Sequence, residues 1–240
     1  MSTAVDCASS LDVTARNARA GPLHERLAPL ASEWRAENGY QVCTRVRGEV
    51  ANHGPWLACL THLARVGFKG RGTAEWLQAE SVQLPTVPNH WLRDASGAIV
   101  ARLGAQDFLI TDELDGHAGL PQRLTARWQS AAPRGAYYVP RQHGLVTLAL
   151  GGEASTEVLA RLCAVDLGTA AFAADAIAQT QVALTSALVM RAPVAGVGNY
   201  RPSYRLFVDT SLALYLWDVL HEVVASLGGG VLGAAQIPPG

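Results

Sequence analysis

One order of elements, strand then helix then strand then strand, occurs twice along this chain and limits the folds open to it. In the first half, residues 64–69 alternate as a short strand that stops at Gly70 and Gly72, and Thr73 offers a hydroxyl to cap a helix running to about Val82. Residues 84–89 hold two prolines and are excluded from regular structure, and residues 98–103 and 107–111 read as two strands joined by a tight turn at Gly104. In the second half, residues 145–150 alternate as a strand, Gly151 and Gly152 turn the chain, and Ser155 caps a helix carrying Val158, Leu159, Leu162 and Cys163 on one side. Residues 179–191 read as one long strand and 203–209 as another. Ser211 then caps a helix whose apolar face is Leu212, Leu216, Val219, Leu220, Val223, Val224 and Leu227, ended by Gly228.

The two halves also share residues. Gly70, Thr73, Glu75 and Leu77 recur as Gly152, Ser155, Glu157 and Leu159 at an offset of 82, and Phe108 and Thr111 recur as Phe207 and Thr210 at an offset of 99. The fold class expected is therefore α+β: two tandem, related strand–helix–strand–strand modules with antiparallel sheets covered on one face by helices. The modules are placed at 61–112 and 141–228. Residues 1–60 read as an N-terminal extension, 113–140 as a connector with a short helix around Leu124 and Trp128, and 229–240 as a flexible tail. Within the extension, Leu23, Leu27, Leu30 and Trp34 fall at helical spacing, but Pro29 interrupts them, so two short turns are expected as readily as one helix.

Composition narrows the function classes. Nineteen basic and 20 acidic residues leave a net charge of −1, which argues against nucleic acid as the main partner. Charged residues are 16% of the 240 and hydrophobic residues 49%, so the chain can bury a core and part of its surface is expected to be covered by something else. Lys69 is the only lysine and sits in neither a phosphate loop nor a Schiff-base context. The cysteines at 7, 43, 59 and 163 form no CxxC pair and are expected to be reduced thiols. Residues 1–11 lack the charge and apolar run of a signal peptide, and no apolar stretch approaches the roughly 20 residues of a membrane span, so a cytoplasmic location is expected.

The motif search yields no catalytic, cofactor-binding or metal site. His24-Glu25 and His221-Glu222 open the HExxH zinc pattern, but Ala28 and Ala225 stand where the second histidine belongs. His53, Cys59 and His62 are read as scattered polar residues rather than ligands, and His143 as a loop histidine. Gly228 to Gly233 matches the GxGxxG dinucleotide fingerprint, yet a helix precedes it and no strand follows, so it is read as a helix stop. Asp107, Asp112, Glu113 and Asp115 cluster near a strand end and are read as solvated loop acids. Trp91, Tyr137 and Tyr138 are core or interface candidates.

Several segments nevertheless resemble the gamma subunit of heterotetrameric sarcosine oxidase, a relative of the folate-binding aminomethyltransferase fold. They are Gly21-Pro22-Leu23, Leu84-Pro85 with Pro88-Asn89, and the strand turn from Arg102 to Ile110. The longest runs from His143 through Gly151-Gly152, Cys163, Asp166-Leu167, Phe172 and Gln179-Thr180 to Tyr215-Leu216-Trp217. Pro140-Arg141-Gln142-His143 departs from the family's Asp-x-Ser-His, and Ala164-Val165 replaces its Pro-Leu. The resemblance implies an accessory, non-catalytic subunit of a flavoenzyme that demethylates sarcosine to glycine, with the one-carbon unit passed to tetrahydrofolate or released as formaldehyde. It implies alpha, beta and delta subunits as partners, with FAD, FMN, NAD and zinc held by those partners and no cofactor bound by this chain alone. A complex acting on another N-methylated amine or amino acid, or a stand-alone folate-binding aminomethyltransferase-like protein, are the alternatives. For the latter, Asp107 or Asp112 is the acid expected to hold a pterin ring.

Overall fold

The computed structural model describes residues 17–48, 54–114, 119–191 and 203–237. Its elements run α1 (His24–Leu27), β1 (Ala31–Glu37), β2 (Tyr40–Val46), β3 (Trp56–Cys59), β4 (Arg65–Gly70), α2 (Thr73–Ala79), β5 (His90–Arg93), β6 (Ile99–Gly104) and β7 (Asp107–Thr111). They continue with α3 (Leu120–Ala131), β8 (Ala136–Val139), β9 (Leu145–Gly151), α4 (Ser155–Leu162), β10 (Ile177–Val182), β11 (Thr185–Arg191), β12 (Ser203–Asp209), α5 (Ala213–Ser226) and β13 (Gly230–Val231).

The protein is α+β with antiparallel sheets, and the duplication runs deeper than the sequence reading. Each half is a strand, a helix, three antiparallel strands, a helix and a last strand. The first sheet has the order β5-β6-β7-β4-β8 and the second β10-β11-β12-β9-β3-β13, the same order with β3 inserted. Gly70 and Gly152, matched in the sequence, both take positive φ, of 105° and 96°. Each lies against backbone that a side chain would strike: Gly135 O stands 2.5 Å from a Cβ built on Gly70, and Gly54 O 2.4 Å from one built on Gly152.

Several elements differ from expectation. The helical spacing of Leu23, Leu27, Leu30 and Trp34 gives only the one turn of α1, because Pro29 cannot continue it; Trp34 belongs to β1. Residues read as an extension supply the β1–β2 hairpin and β3, whose residues 56–59 pair with β9 in the second sheet. The connector holds α3 and β8, and β8 pairs with β4 at the first sheet's edge. The tail read as flexible pairs Gly230 with Trp56 and Val231 with Leu57 in parallel, and buries Val231, Leu232 and Ile237. The strand read over 179–191 is a hairpin that reverses at Ala183 and Leu184, at φ 49° and 63°.

The caps differ too. Gly72, in the left-handed region, precedes α2, and the buried Thr73 turns its hydroxyl back to Gly70 O at 2.6 Å. Ala154 rather than Ser155 precedes α4. Before α5, Asp209 accepts from the backbone N–H and hydroxyl of Ser211, which draws its carboxyl below the usual aspartate range.

Helices cover the outer face of each sheet. In the first module Phe68, Trp76 and Trp128 pack mutually with ring centroids 5.0 Å apart, over Val66, Val100, Phe108 and Ile110. In the second, Leu159, Leu216, Trp217 and Leu220 lie over Val146, Leu148, Leu206 and Val208, and the same core extends to Leu23, Leu27 and Trp34. The helix-free faces meet each other through Ile99, Ala101 and Leu109 on one side and Met190 and Phe207 on the other. One edge of this sandwich is stitched: Ile177 N donates to Asn89 O at 2.8 Å, Trp91 N to Asp175 O at 2.9 Å, and the Trp91 indole to Arg191 O at 2.9 Å.

Candidate functional site

Where the two sheets splay, they leave a groove of about 770 Å³, within the roughly 300–1,000 Å³ typical of small-molecule sites. Leu103, Leu109, Leu145, Leu188 and Phe207 give it an apolar floor; Gln179, Thr180, Gln181 and Ser186 give it a polar wall from the β10–β11 hairpin. Three charged side chains line it, Asp107 at the start of β7, Arg141 just before β9 and Asp209 at the end of β12, where Asp209 is engaged by Ser211.

Sheet register sets their positions. Gly67 pairs with Leu109 and Lys69 with Asp107, so Leu109 and Asp107 project from the same face of β7. Arg141 crosses this face at Gly67, where a Cβ would stand 3.1 Å from its Cγ and Nε. A glycine at 67 is what lets the guanidinium arm lie flat on the sheet. Oδ1 of Asp107 and Nε of Arg141 are shut off from water and have no hydrogen-bond partner, and neither side chain forms an ion pair among the described residues.

A second polar cluster fastens the modules beside the groove. Arg65 is buried and donates five hydrogen bonds to carbonyls, those of Arg141, Thr61, Leu63, Gln142 and Leu145. The amide of Gln142 accepts from Arg65 N at 2.9 Å. Burial without a carboxylate brings the Arg65 guanidinium down to about 10. His62, three residues earlier, is 3% exposed, and burial first, then the Arg65 charge, push its imidazole down to about 4. Burial also pushes the Cys43 thiol up to about 12 and raises that of Cys59.

The other residues singled out in the sequence are dispersed. His143 is exposed, with Nδ1 at 2.6 Å from the Tyr40 hydroxyl. Asp112 and Glu113 are buried rather than solvated, because Glu113 pairs with Arg205; Asp107 faces the groove, and Asp115 and His53 lie outside the described residues. His24 stacks on Trp34 at 4.8 Å, and His221 sits on α5, far along the chain. Gly228 ends α5 at φ 73°, so the GxGxxG match is a helix stop followed by β13. Tyr137 is exposed on β8. Among the described residues no three His, Cys, Asp or Glu side chains meet as a metal site, and no helix is long and apolar enough to cross a membrane. Arg65, Arg141 and Arg205 escaped the sequence reading. The signal available was a lone arginine inside a strand pattern, at 65 and 205, and the Pro140-Arg141 step where the resemblance broke.

No family model and no curated protein matches the sequence. Solved structures do match. A chain of the heterotetrameric sarcosine oxidase from Corynebacterium sp. U-96, in complex with pyrrole 2-carboxylate, superposes with a TM-score of 0.65 at 20% identity, over 88% of this chain and 97% of that one. Aminomethyltransferase T of the glycine cleavage system from Bartonella henselae gives 0.67 at 17% identity, over 90% of this chain and 60% of that one. The chain has the aminomethyltransferase-like fold. It spans 60% of the length of aminomethyltransferase T, and nearly all of the matched sarcosine oxidase chain. At these identities the likeness is one of fold alone, so the duplicated modules are its content.

Proposed function

We propose that this chain is an accessory, non-catalytic subunit, of the gamma type, in a heterotetrameric flavoenzyme that oxidatively demethylates sarcosine to glycine. The one-carbon unit then passes to tetrahydrofolate or leaves as formaldehyde. In this reading the alpha, beta and delta subunits are the partners and carry FAD, FMN, NAD and zinc. The observation that supports it is co-extension: the chain matches a chain of a heterotetrameric sarcosine oxidase over 97% of that chain's length, whereas it accounts for 60% of aminomethyltransferase T. Large apolar side chains at the surface agree with covered faces, among them Leu184 at 85% exposure and Tyr137 at 63%. Co-expression with candidate alpha, beta and delta chains should give a yellow complex that contains this chain and consumes oxygen when given sarcosine. A chain that no flavin-carrying partner retains overturns the reading. The same oxygen assay with other N-methylated amines separates sarcosine from the alternative substrates.

The groove supports a second reading, a stand-alone folate-binding protein. Titration of the isolated chain with tetrahydrofolate tests it, and the absence of binding removes it.

A further inference from the structure

We propose that the free edge of β8 is a docking site for an extended acidic segment of another protein, which joins the five-stranded first sheet as one more strand. This inference does not rest on the subunit reading, since an accessory subunit and a stand-alone protein would carry the same edge.

The first sheet is open at one end. At its other end β5 is closed against the second module, where His90 bridges to Ala176. β8 pairs with β4 alone, and among the described residues no strand lies on its far side. Every second residue of such a strand directs its N–H and C=O outward, and these groups are the template that an added strand uses. Edges that must stay unpaired are commonly guarded by a charge or a proline within the strand. β8, Ala136-Tyr137-Tyr138-Val139, holds neither, and Tyr137 is 63% exposed beside its backbone.

Charge selects the occupant. Lys69 is the ladder partner of Tyr137, so the two project from one face. Arg71 and Arg134 meet at the end of the same ladder: Gly70 pairs with Ala136, and a Cβ built on Gly135 would stand 3.7 Å from the Cβ of Arg71. All three cations are exposed, and none forms an ion pair among the described residues. Arg123 and Arg127 on α3, by contrast, are both matched by Glu80. Asp107, across β4 from Lys69, does not neutralise it either. Three unmatched cations along one strand edge, in a chain whose net charge is −1, are complementary to a strand that carries carboxylates. A second copy of this chain fits badly. Antiparallel pairing about the middle of β8 would set Arg134 of each copy opposite Arg141 of the other, cation against cation.

Titration of the full-length chain with three acetylated, amidated heptapeptides, followed by backbone amide NMR shifts, tests the assignment. The first alternates valine and glutamate, the second has lysine in place of glutamate, and the third is the first N-methylated throughout, so that it keeps its charge and loses its donors. The valine–glutamate peptide should bind with a Kd of about 10–500 μM, as suits a short exposed edge, and should move the amides of residues 136–139. The N-methylated peptide should bind at least about tenfold more weakly, and the lysine peptide should not bind. The double variant Arg71→Gln with Arg134→Gln, and a rise in salt from about 50 to 500 mM, should each weaken the acidic peptide about 3- to 10-fold. Equal binding of the acidic and lysine peptides, undiminished binding after N-methylation, or no binding at millimolar concentration overturns the proposal. So does a dimer of this chain that protects residues 136–139 without any peptide. The peptide series uses the unaltered protein, so the comparison stands whatever the variant does. Failure of the subunit reading would show in the co-expression experiment and leave these titrations unchanged.

Discussion

Arg205 and Glu113 form an ion pair of 2.9 Å that water does not reach, with side chains 3% and 5% exposed, and it joins β12 of the second sheet to the chain leaving β7 of the first. The second carboxylate bond comes from the chain itself: Leu114 N donates to Glu113 Oε1 at 2.9 Å. Removing one partner of a buried pair strands the other charge, which costs about 3–5 kcal/mol. Glu113→Gln and Arg205→Met should each lower unfolding free energy by that order in urea titrations. The double variant should lose clearly less than the two single losses together.

Arg65 fills a comparable role without any carboxylate, since five carbonyls share its donors. Lysine has three donors and no planar fork, so Arg65→Lys should leave carbonyls unmet and destabilise by at least about 3 kcal/mol. Measured by denaturant unfolding, a loss under about 1 kcal/mol would show that this junction is not where the modules are fastened.

Buried His62 makes acid sensitivity a property of the folded chain. Its folded value of about 4 lies below the ordinary 6.5, so below pH 6.5 the unfolded chain takes up a proton that the folded chain refuses. The neutral imidazole's share of stability is whole above pH 6.5 and is lost progressively as pH falls toward 4, amounting to roughly 3 kcal/mol. His62→Gln should flatten the stability profile between pH 6.5 and 4. An unchanged slope in that window would assign the acid sensitivity elsewhere.

The turn between β10 and β11 carries two departures from local preference. Ala183 and Leu184 both hold positive φ, where asparagine and glycine are favoured, and Leu184 is almost wholly exposed. The double substitution Ala183→Asn with Leu184→Gly should stabilise the isolated chain by about 1–2 kcal/mol, read as a rise in melting temperature. If Leu184 is a contact to a partner subunit, the same change should weaken co-purification of the complex. Greater stability with unimpaired assembly would remove Leu184 from the interface.

How much of this was legible follows from how local each signal is. The cores of α2, α4 and α5 and of β4, β6, β7, β9 and β12 stand near where periodicity put them, because their apolar residues announce their own faces. The hairpin at Ala183 was hidden, since neither turn residue is the type that positive φ favours and β10 reads into β11 without a break. His90–Arg93 became β5 by pairing with β6, and Trp56–Cys59 became β3 by pairing with β9, choices made by distant strands. The groove was invisible for the same reason. Asp107 was read as a loop acid, and only the register of β4 against β7 sets it beside Arg141.

The two-residue strand β13 fixes an order of events during synthesis. Gly229 and Gly233 press so closely on Pro55 and Thr44 that a Cβ would fall 1.9 Å and 2.4 Å from their backbone atoms, so this segment locks onto elements made long before it. While the ribosome is still adding residues 203–228, β3 is an open edge with its outer hydrogen-bonding groups bare. Until residues 230 and 231 add to it, that outer edge is open to pairing with another strand.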